Sequence, residues 1–335
     1  MNGLLSRNRL ISGALGLAGL AALALPAQAA DVELRLAHVA PPTSSFQVAG
    51  EAYAKALNEL SGGTMEMTII PGGALGNIPE LWAQLRNGAL DMYLMDIGGI
   101  VANKEARNLF IVFAPYLFKD QDHWRAFIAS DQFAGMMGEA ETNLGIKYLG
   151  YLKDRSPRAL STSKKAVATP DDIKGMKIRT PLVPSITEVF KAWGANPTPV
   201  QASELYSAMQ SGLVDGQDNG ITDVVAAGYT EVQDYFTPLD YLRSGVGIWM
   251  SQKAWDGLTP QQQEWAMQAA DKAFAEQKPL FEKEEAEALA AAQEKGMEIV
   301  EPDTAAFIAA SEPVIKGMDG KAWPAGLYDQ IHNMK

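Results

Sequence analysis

The spacing of apolar residues changes period repeatedly along the chain. Residues 32–37 (Val-Glu-Leu-Arg-Leu-Ala) alternate apolar and polar, which predicts a strand. Residues 46–60 place apolar side chains three and four apart and stop at Ser61-Gly62-Gly63, which predicts an amphipathic helix entered through the loop at 41–45. A strand at 65–70, a helix at 78–87 closed by Gly88 and a strand at 90–95 follow. Residues 121–143 read as a helix and 146–152 as a strand. This alternation predicts an α/β lobe with a largely parallel sheet. The stretch from Arg155 to Lys165 is basic and polar and reads as a crossing into a second lobe. There Thr169-Pro170-Asp171-Asp172 has the form of a helix start. Strands at 176–180, 196–200 and 213–218 alternate with helices at 184–193, 203–210 and 221–229. A further strand falls at 246–251.

Residues 260 to about 293 are helix-forming throughout. Such a helix is roughly 50 Å long at about 1.5 Å per residue, more than one small lobe spans. Pro279 lies inside it and is expected to kink it. The reading is a two-lobed α/β fold with a cleft between the lobes and a long helix bracing both. Residues 30–155 with about 244–284 form the first lobe, and 156–243 with about 285–335 form the second. The tail adds a strand and one or two helices.

The first 29 residues stand apart. Arg7 and Arg9 precede an apolar stretch from Leu10 to Leu25, and Ala27-Gln28-Ala29 supplies a small-x-small cleavage pattern. This predicts a secretory signal peptide cut after Ala29 and a mature protein in the periplasm. With no cysteine, neither a lipid-anchored N-terminus nor a disulfide framework is expected. The net charge is −12; without Arg7 and Arg9 it becomes −14. That sign argues against nucleic acid as a partner. It also means that a small anion must be held by a local cluster of arginines against the global field.

Catalytic and cofactor signatures are missing. His38, His123 and His332 have no metal-ligand spacing, and there is neither a Gly-x-Ser-x-Gly elbow nor a P-loop. Gly72-Gly73-x-x-Gly76 lacks the full dinucleotide fingerprint and reads as a tight turn. The segment from Asp215 has Gln217 and Ala226 where a calcium loop needs carboxylates. The expectation is a binding protein with no catalytic residue, metal or cofactor.

Several segments together resemble the substrate-binding proteins of TRAP (tripartite ATP-independent periplasmic) transporters. They are Gly72-Gly73-Ala74-Leu75-Gly76, then Asn87-Gly88-Ala89-Leu90-Asp91, then Pro170-Asp171-Asp172-Ile173-Lys174-Gly175-Met176-Lys177-Ile178-Arg179. Gly194-Ala195-Asn196-Pro197-Thr198-Pro199 leads into Glu204-Leu205-Tyr206-Ser207-Ala208-Met209-Gln210, and Gly212-Leu213-Val214-Asp215-Gly216-Gln217-Asp218-Asn219 follows. The resemblance implies two α/β lobes closing on a ligand, with Arg179 making the main contact to a carboxylate. Its position agrees, because Arg179 closes a strand and strand carboxyl ends line the crevices of open α/β sheets. A guanidinium fork also grips a carboxylate bidentately.

The resemblance further implies Arg158 as a second arginine and Asn219 as a ligand contact, although Gly220 replaces the family's usual proline. Asp96 ends a strand where some members hold ligand hydroxyls, and His38 ends the first strand; for both, a structural role is the other reading. Tyr241 stands where several relatives have histidine, and Trp249 reads either as a pocket wall or as core. The expected ligand is a small organic acid. A sugar acid is favoured because Asp96 and His38 would pair with hydroxyls. C4-dicarboxylates, keto acids and aromatic acids remain alternatives, and Arg155 adds a cation that would suit a diacid. The implied partners are the small and large TRAP membrane subunits, with an ABC permease or a sensor as the other possibility.

Overall fold

The structure, a computed structural model, describes residues 31–334. The expected signal peptide lies outside the described residues. Two mixed sheets form the framework. The first contains β1 (Val32–Ala37), β2 (Met65–Ile70), β3 (Met92–Asp96) and β4 (Ile146–Asp154). The second begins with β5 (Arg158–Thr162), β6 (Lys177–Thr180), β7 (Asn196–Pro199), β8 (Gly216–Gln217) and β9 (Tyr235–Leu242). The chain then returns to the first sheet with β10 (Gly245–Ser251), and β11 (Glu298–Ile299) joins the second. The strand orders are β2-β1-β3-β10-β4 and β11-β9-β5-β8-β6-β7.

The first sheet is less parallel than expected. Strands β1, β2 and β3 run parallel, but β10 inserts antiparallel between β3 and β4. A strand that arrives from the other lobe is free of the βαβ crossover rule, so it can pair in either sense.

Helices cover both faces of each sheet. Helix Ser45–Leu60 is N-capped by Ser44 and buries Tyr53 and Leu57 against Leu36 and Leu94. The opposite face packs Trp82, Trp124, Trp249 and Phe127. In the second lobe, Phe190, Trp193, Tyr241 and Phe307 fill one face, while Leu205, Val224, Phe236 and Ala292 fill the other.

The long helix is present as Pro260–Gln277 and Phe281–Glu294, joined by a 3-10 turn at Lys278–Leu280 that contains Pro279. Its first half buries Ala266, Ala269, Ala270 and Ala273 in the first lobe. Its second half buries Ala292 in the second. Close approach of this helix to β4 requires Gly150. Its φ is +151°, and a Cβ there would lie 2.6 Å from the Ala270 Cβ.

Other segments depart from expectation. Residues 121–143 form two helices, Gln121–Ile128 and Asp131–Leu144, because Ser130 caps the second. Thr169–Asp172 does not start a helix. The Asp172 carboxylate accepts from the backbone N–H groups of Ala168 and Thr169, and left-handed Gly175 (φ +76°) ends the turn too soon for propagation. The basic stretch after Arg155 contains β5, all of it buried. The tail also packs differently: Trp323, Leu327 and Ile331 enter the core of the first lobe rather than the second.

Candidate functional site

Chain direction brings the site together from both lobes. Strands β6 and β8 are parallel and β5 is antiparallel to β8, so the ends of β6 and β8 and the start of β5 lie at one edge. Arg179 in β6, Asn219 just beyond β8 and Arg158 at the start of β5 therefore converge. From the first lobe, Asp96 ends β3 and Arg155 follows β4, both at the sheet edge facing the second lobe. These five residues line one cavity of about 190 Å³ between the lobes.

The three arginines are held differently. Arg158 donates from Nε to Asp218 Oδ2 at 2.8 Å and from Nη2 to the Asp218 carbonyl at 2.5 Å. Burial is the largest influence and works against its charge, but Asp218, Tyr241 and Asp96 together outweigh burial and raise its pKa. Arg155 joins the lobes, pairing through Nη1 with Asp96 and through Nη2 with Asp223, and it lies over the Phe46 ring at 5.0 Å. Arg179 donates from Nε to the Val200 carbonyl at 2.9 Å. It is 5% exposed, and among the described residues it forms no ion pair. Burial accordingly pulls its pKa below the ordinary range. A buried guanidinium whose outer nitrogens have no carboxylate partner is a ready-made site for one.

Asn219 is oriented by donating from Nδ2 to Gln217 Oε1 at 2.5 Å, and Gln217 donates in turn to Ser161 Oγ at 2.8 Å. Gly220 then closes against the lobe crossing. A Cβ at this position would fall 2.5 Å from the Ser156 carbonyl oxygen, so the chain has no room for a side chain there.

The remaining expected residues are placed less directly. Asp96 lines the cavity, but its oxygens are engaged by Gly98 N–H, Ser244 Oγ and Arg155. His38 is buried beside Gln47, with Nε2 3.0 Å from Gln47 Oε1, and is not among the lining residues. Burial lowers its pKa. Tyr241 lies behind the cavity and donates to Asp218 Oδ2 at 2.5 Å, so it supports the partner of Arg158 and touches no ligand space. Trp249 is fully buried in the first-lobe core, stacked edge-on against Trp82 at 5.3 Å, and does not wall the cavity. An aromatic on a strand covered on both faces has no route to the cleft.

Sequence reasoning missed Gln201, Asp223 and Tyr229 as lining residues. None stands in a motif, and only the meeting of the lobes brings them to the site. Across that meeting, Thr43 Oγ1 donates to the Ala226 carbonyl at 2.7 Å and Ser45 Oγ lies 3.3 Å from Asp223 Oδ1. The lobes are therefore closed on each other.

Residues 36–321 match DctP, the bacterial extracellular solute-binding protein family 7. The chain belongs to this family. Similar proteins match it over nearly its full length. A solute-binding protein of Roseobacter denitrificans is 29% identical over 311 residues, covering 92% of this chain and 94% of its own. The 2,3-diketo-L-gulonate-binding periplasmic protein YiaO of Escherichia coli is 28% identical over 330 residues, 97% of this chain and 93% of its own. Among solved structures, a TRAP periplasmic solute-binding protein from Bordetella, with density attributed to pantoate, superposes with a TM-score of 0.85 at 26% identity. That match covers 91% of this chain and 99% of the other. The Roseobacter denitrificans protein with bound L-galactonate has a TM-score of 0.80 at 27% identity, covering 86% and 95%. The two-lobed solute-binding architecture and the TRAP-type identity thus stand together. Among the described residues, no helix is long and apolar enough to cross a membrane.

Proposed function

We propose that this family 7 protein is the periplasmic receptor of a TRAP transporter and clamps a small hydroxylated monocarboxylate between its lobes. It then delivers the acid to the membrane subunits for ion-coupled uptake and performs no chemistry on it. The observation that carries this reading is Arg179: a buried guanidinium, without a carboxylate of its own, in the wall of an interlobe cavity. Arg158 and Arg155 are already neutralised by Asp218 and by Asp96 with Asp223. One uncommitted cation matches one ligand carboxylate, which favours a monoacid over a diacid. The relatives support a hydroxylated or sugar acid, since they are described with diketogulonate, galactonate and pantoate.

The lobes divide at the chain crossings near Arg155 and Ser244 and at the Pro279 turn, with the tail returning to the first lobe after Asp319. Ligand held by second-lobe Arg179 and Asn219 against the first lobe is bound fully only when the cleft is shut. Its differential affinity for the two forms then drives closure.

The experiment is a thermal-shift and calorimetric comparison of L-galactonate, D-glucuronate and pantoate with their neutral amides. Ligands that bind only the folded state raise its melting temperature. The expected result is that at least one acid binds and its amide does not. Equal binding of acid and amide, or no response to any carboxylate in a wide acid library, would overturn the reading.

A further inference from the structure

Resting on that carboxylate reading, we infer that the ligand is two-ended: a carboxylate with an adjacent hydroxyl or keto oxygen, carried on a short, branched, apolar body. The uncommitted polar groups of the cavity are confined to one end. Arg179, Asn219, Gln201 and Tyr229 all come from the second lobe, and Arg179 is tied to Val200, immediately before Gln201. They can read a carboxylate and the oxygen on the next carbon.

The face supplied by the first lobe is different. Val39, Ile78, Pro79, Met95, Val101 and Phe113 line it, and Val183 and Leu182 extend it from the second lobe. Its polar side chains are engaged mainly within the protein. The Ser44 hydroxyl donates to the Pro41 carbonyl and caps Gln47 N–H. Both Asp96 oxygens are engaged, and Arg155 spends its charge on two carboxylates, one N–H of each Nη going to Asp96 and Asp223, while its Nε is buried away from the cavity surface. His38, which would have read hydroxyls, holds Gln47 through Nε2, and its buried Nδ1 does not reach the cavity lining.

A hexose-derived acid carries hydroxyls on every carbon. Those beyond the second carbon would meet this apolar wall. Each hydroxyl buried without a partner lowers affinity by roughly tenfold to a hundredfold. A methyl branch in the same place removes apolar surface from water on both sides and gains instead. Size agrees with a short ligand. The cavity of about 190 Å³ is only modestly larger than the roughly 150 Å³ that encloses a benzene ring.

The test is isothermal calorimetry on the full-length mature protein with four probes: 2-hydroxy-4-methylpentanoate, 4-methyl-2-oxopentanoate, L-galactonate and D-glucuronate. The two branched acids are expected to bind at least about tenfold more tightly than the two sugar acids. A second arm uses Val101→Thr, a near-isosteric change at a half-buried position that keeps the fold. It should weaken the branched acids several-fold and leave the sugar acids unchanged or improved. Tighter binding of the sugar acids, or equal losses for both classes on V101T, would overturn this inference while leaving the carboxylate clamp intact. Failure of every acid to bind would instead refute the clamp.

Discussion

Replacing Arg179 with methionine should separate binding from stability, because the two depend on this residue with opposite sign. In the free protein the Arg179 guanidinium is 5% exposed, has Val200 as its hydrogen-bond partner and forms no ion pair among the described residues. Burying a charge without a counter-charge is unfavourable, and exchanging a buried ion for an apolar side chain of similar volume is neutral or stabilising by about 1–3 kcal/mol. At about 2 °C per kcal/mol for a protein of this size, R179M should melt at the same temperature or up to roughly 6 °C higher. In the proposed complex the same side chain meets the ligand carboxylate. Losing one partner of a buried charge pair costs about 2–5 kcal/mol, which is roughly 30-fold to several-thousand-fold in affinity. Arg179→Lys should also bind poorly, since a single ammonium cannot reproduce the planar fork. Scanning calorimetry without ligand and titration calorimetry with the tightest-binding acid measure the two effects. A folded R179M protein with near-native affinity would remove the clamp assignment. Loss of several kcal/mol of stability without ligand would show that Arg179 is structural.

Further predictions concern closure, pH and backbone. Arg155 bridges Asp96 in the first lobe and Asp223 in the second, so Asp223→Asn should favour the open form. Ligand affinity should fall several-fold, and small-angle scattering at one subsaturating ligand concentration should show a larger radius of gyration for the variant than for the parent. Identical curves would refute the bridge. Glu285, on the second half of the long helix, has its pKa pushed up to about 7 by burial, with Asp240 and Asp154 adding to the rise and Ser156 and Arg243 opposing it. Between about pH 4.5 and 7 the folded state retains a proton that the unfolded state has released, so stability should fall as pH rises through that window. Glu285→Gln should flatten this slope and stabilise the protein at pH 7–8 by on the order of 1–2 kcal/mol, the value discounted for partial exposure. An unchanged denaturation profile across pH would exclude it. Gly220→Ala places a Cβ 2.5 Å from the Ser156 carbonyl oxygen and should cost roughly 1–3 kcal/mol by urea denaturation, with weakened binding through displacement of Asn219. A neutral effect would mean that the crossing at Ser156 yields easily.

Much of the architecture is written locally. Strands β1, β2, β3, β6 and β10 follow from period-two or continuous apolar runs, and the long helix with its Pro279 break follows from composition and one proline. Residues that close or follow strands were legible for the same reason: Arg179 and Asn219 sit where strand ends must lie, whichever way the sheet is assembled. Segments whose conformation depends on tertiary neighbours were not legible. The Thr169–Asp172 turn has the composition of a helix start, but it lacks length before Gly175. The strand β5 reads as a polar crossing, because its hydrogen-bonded neighbours β8 and β9 lie dozens of residues away.

The chemistry of the site divides the same way. Sequence alone determined that a bound anion would call for a local cluster of arginines, since the chain as a whole is acidic. Only the tertiary structure decided which arginine is free. Asp96, Asp218 and Asp223 approach Arg155 and Arg158 from separate strands and a helix, and no spacing along the chain encodes that pairing. It also decided that His38 turns to Gln47, that Tyr241 backs Asp218 and that Trp249 is core. Local sequence sets which side chains stand at a strand end. Charge compensation and the apolar character of the cavity wall arise from which strand ends meet across the cleft, and that is a property of the closed pair of lobes.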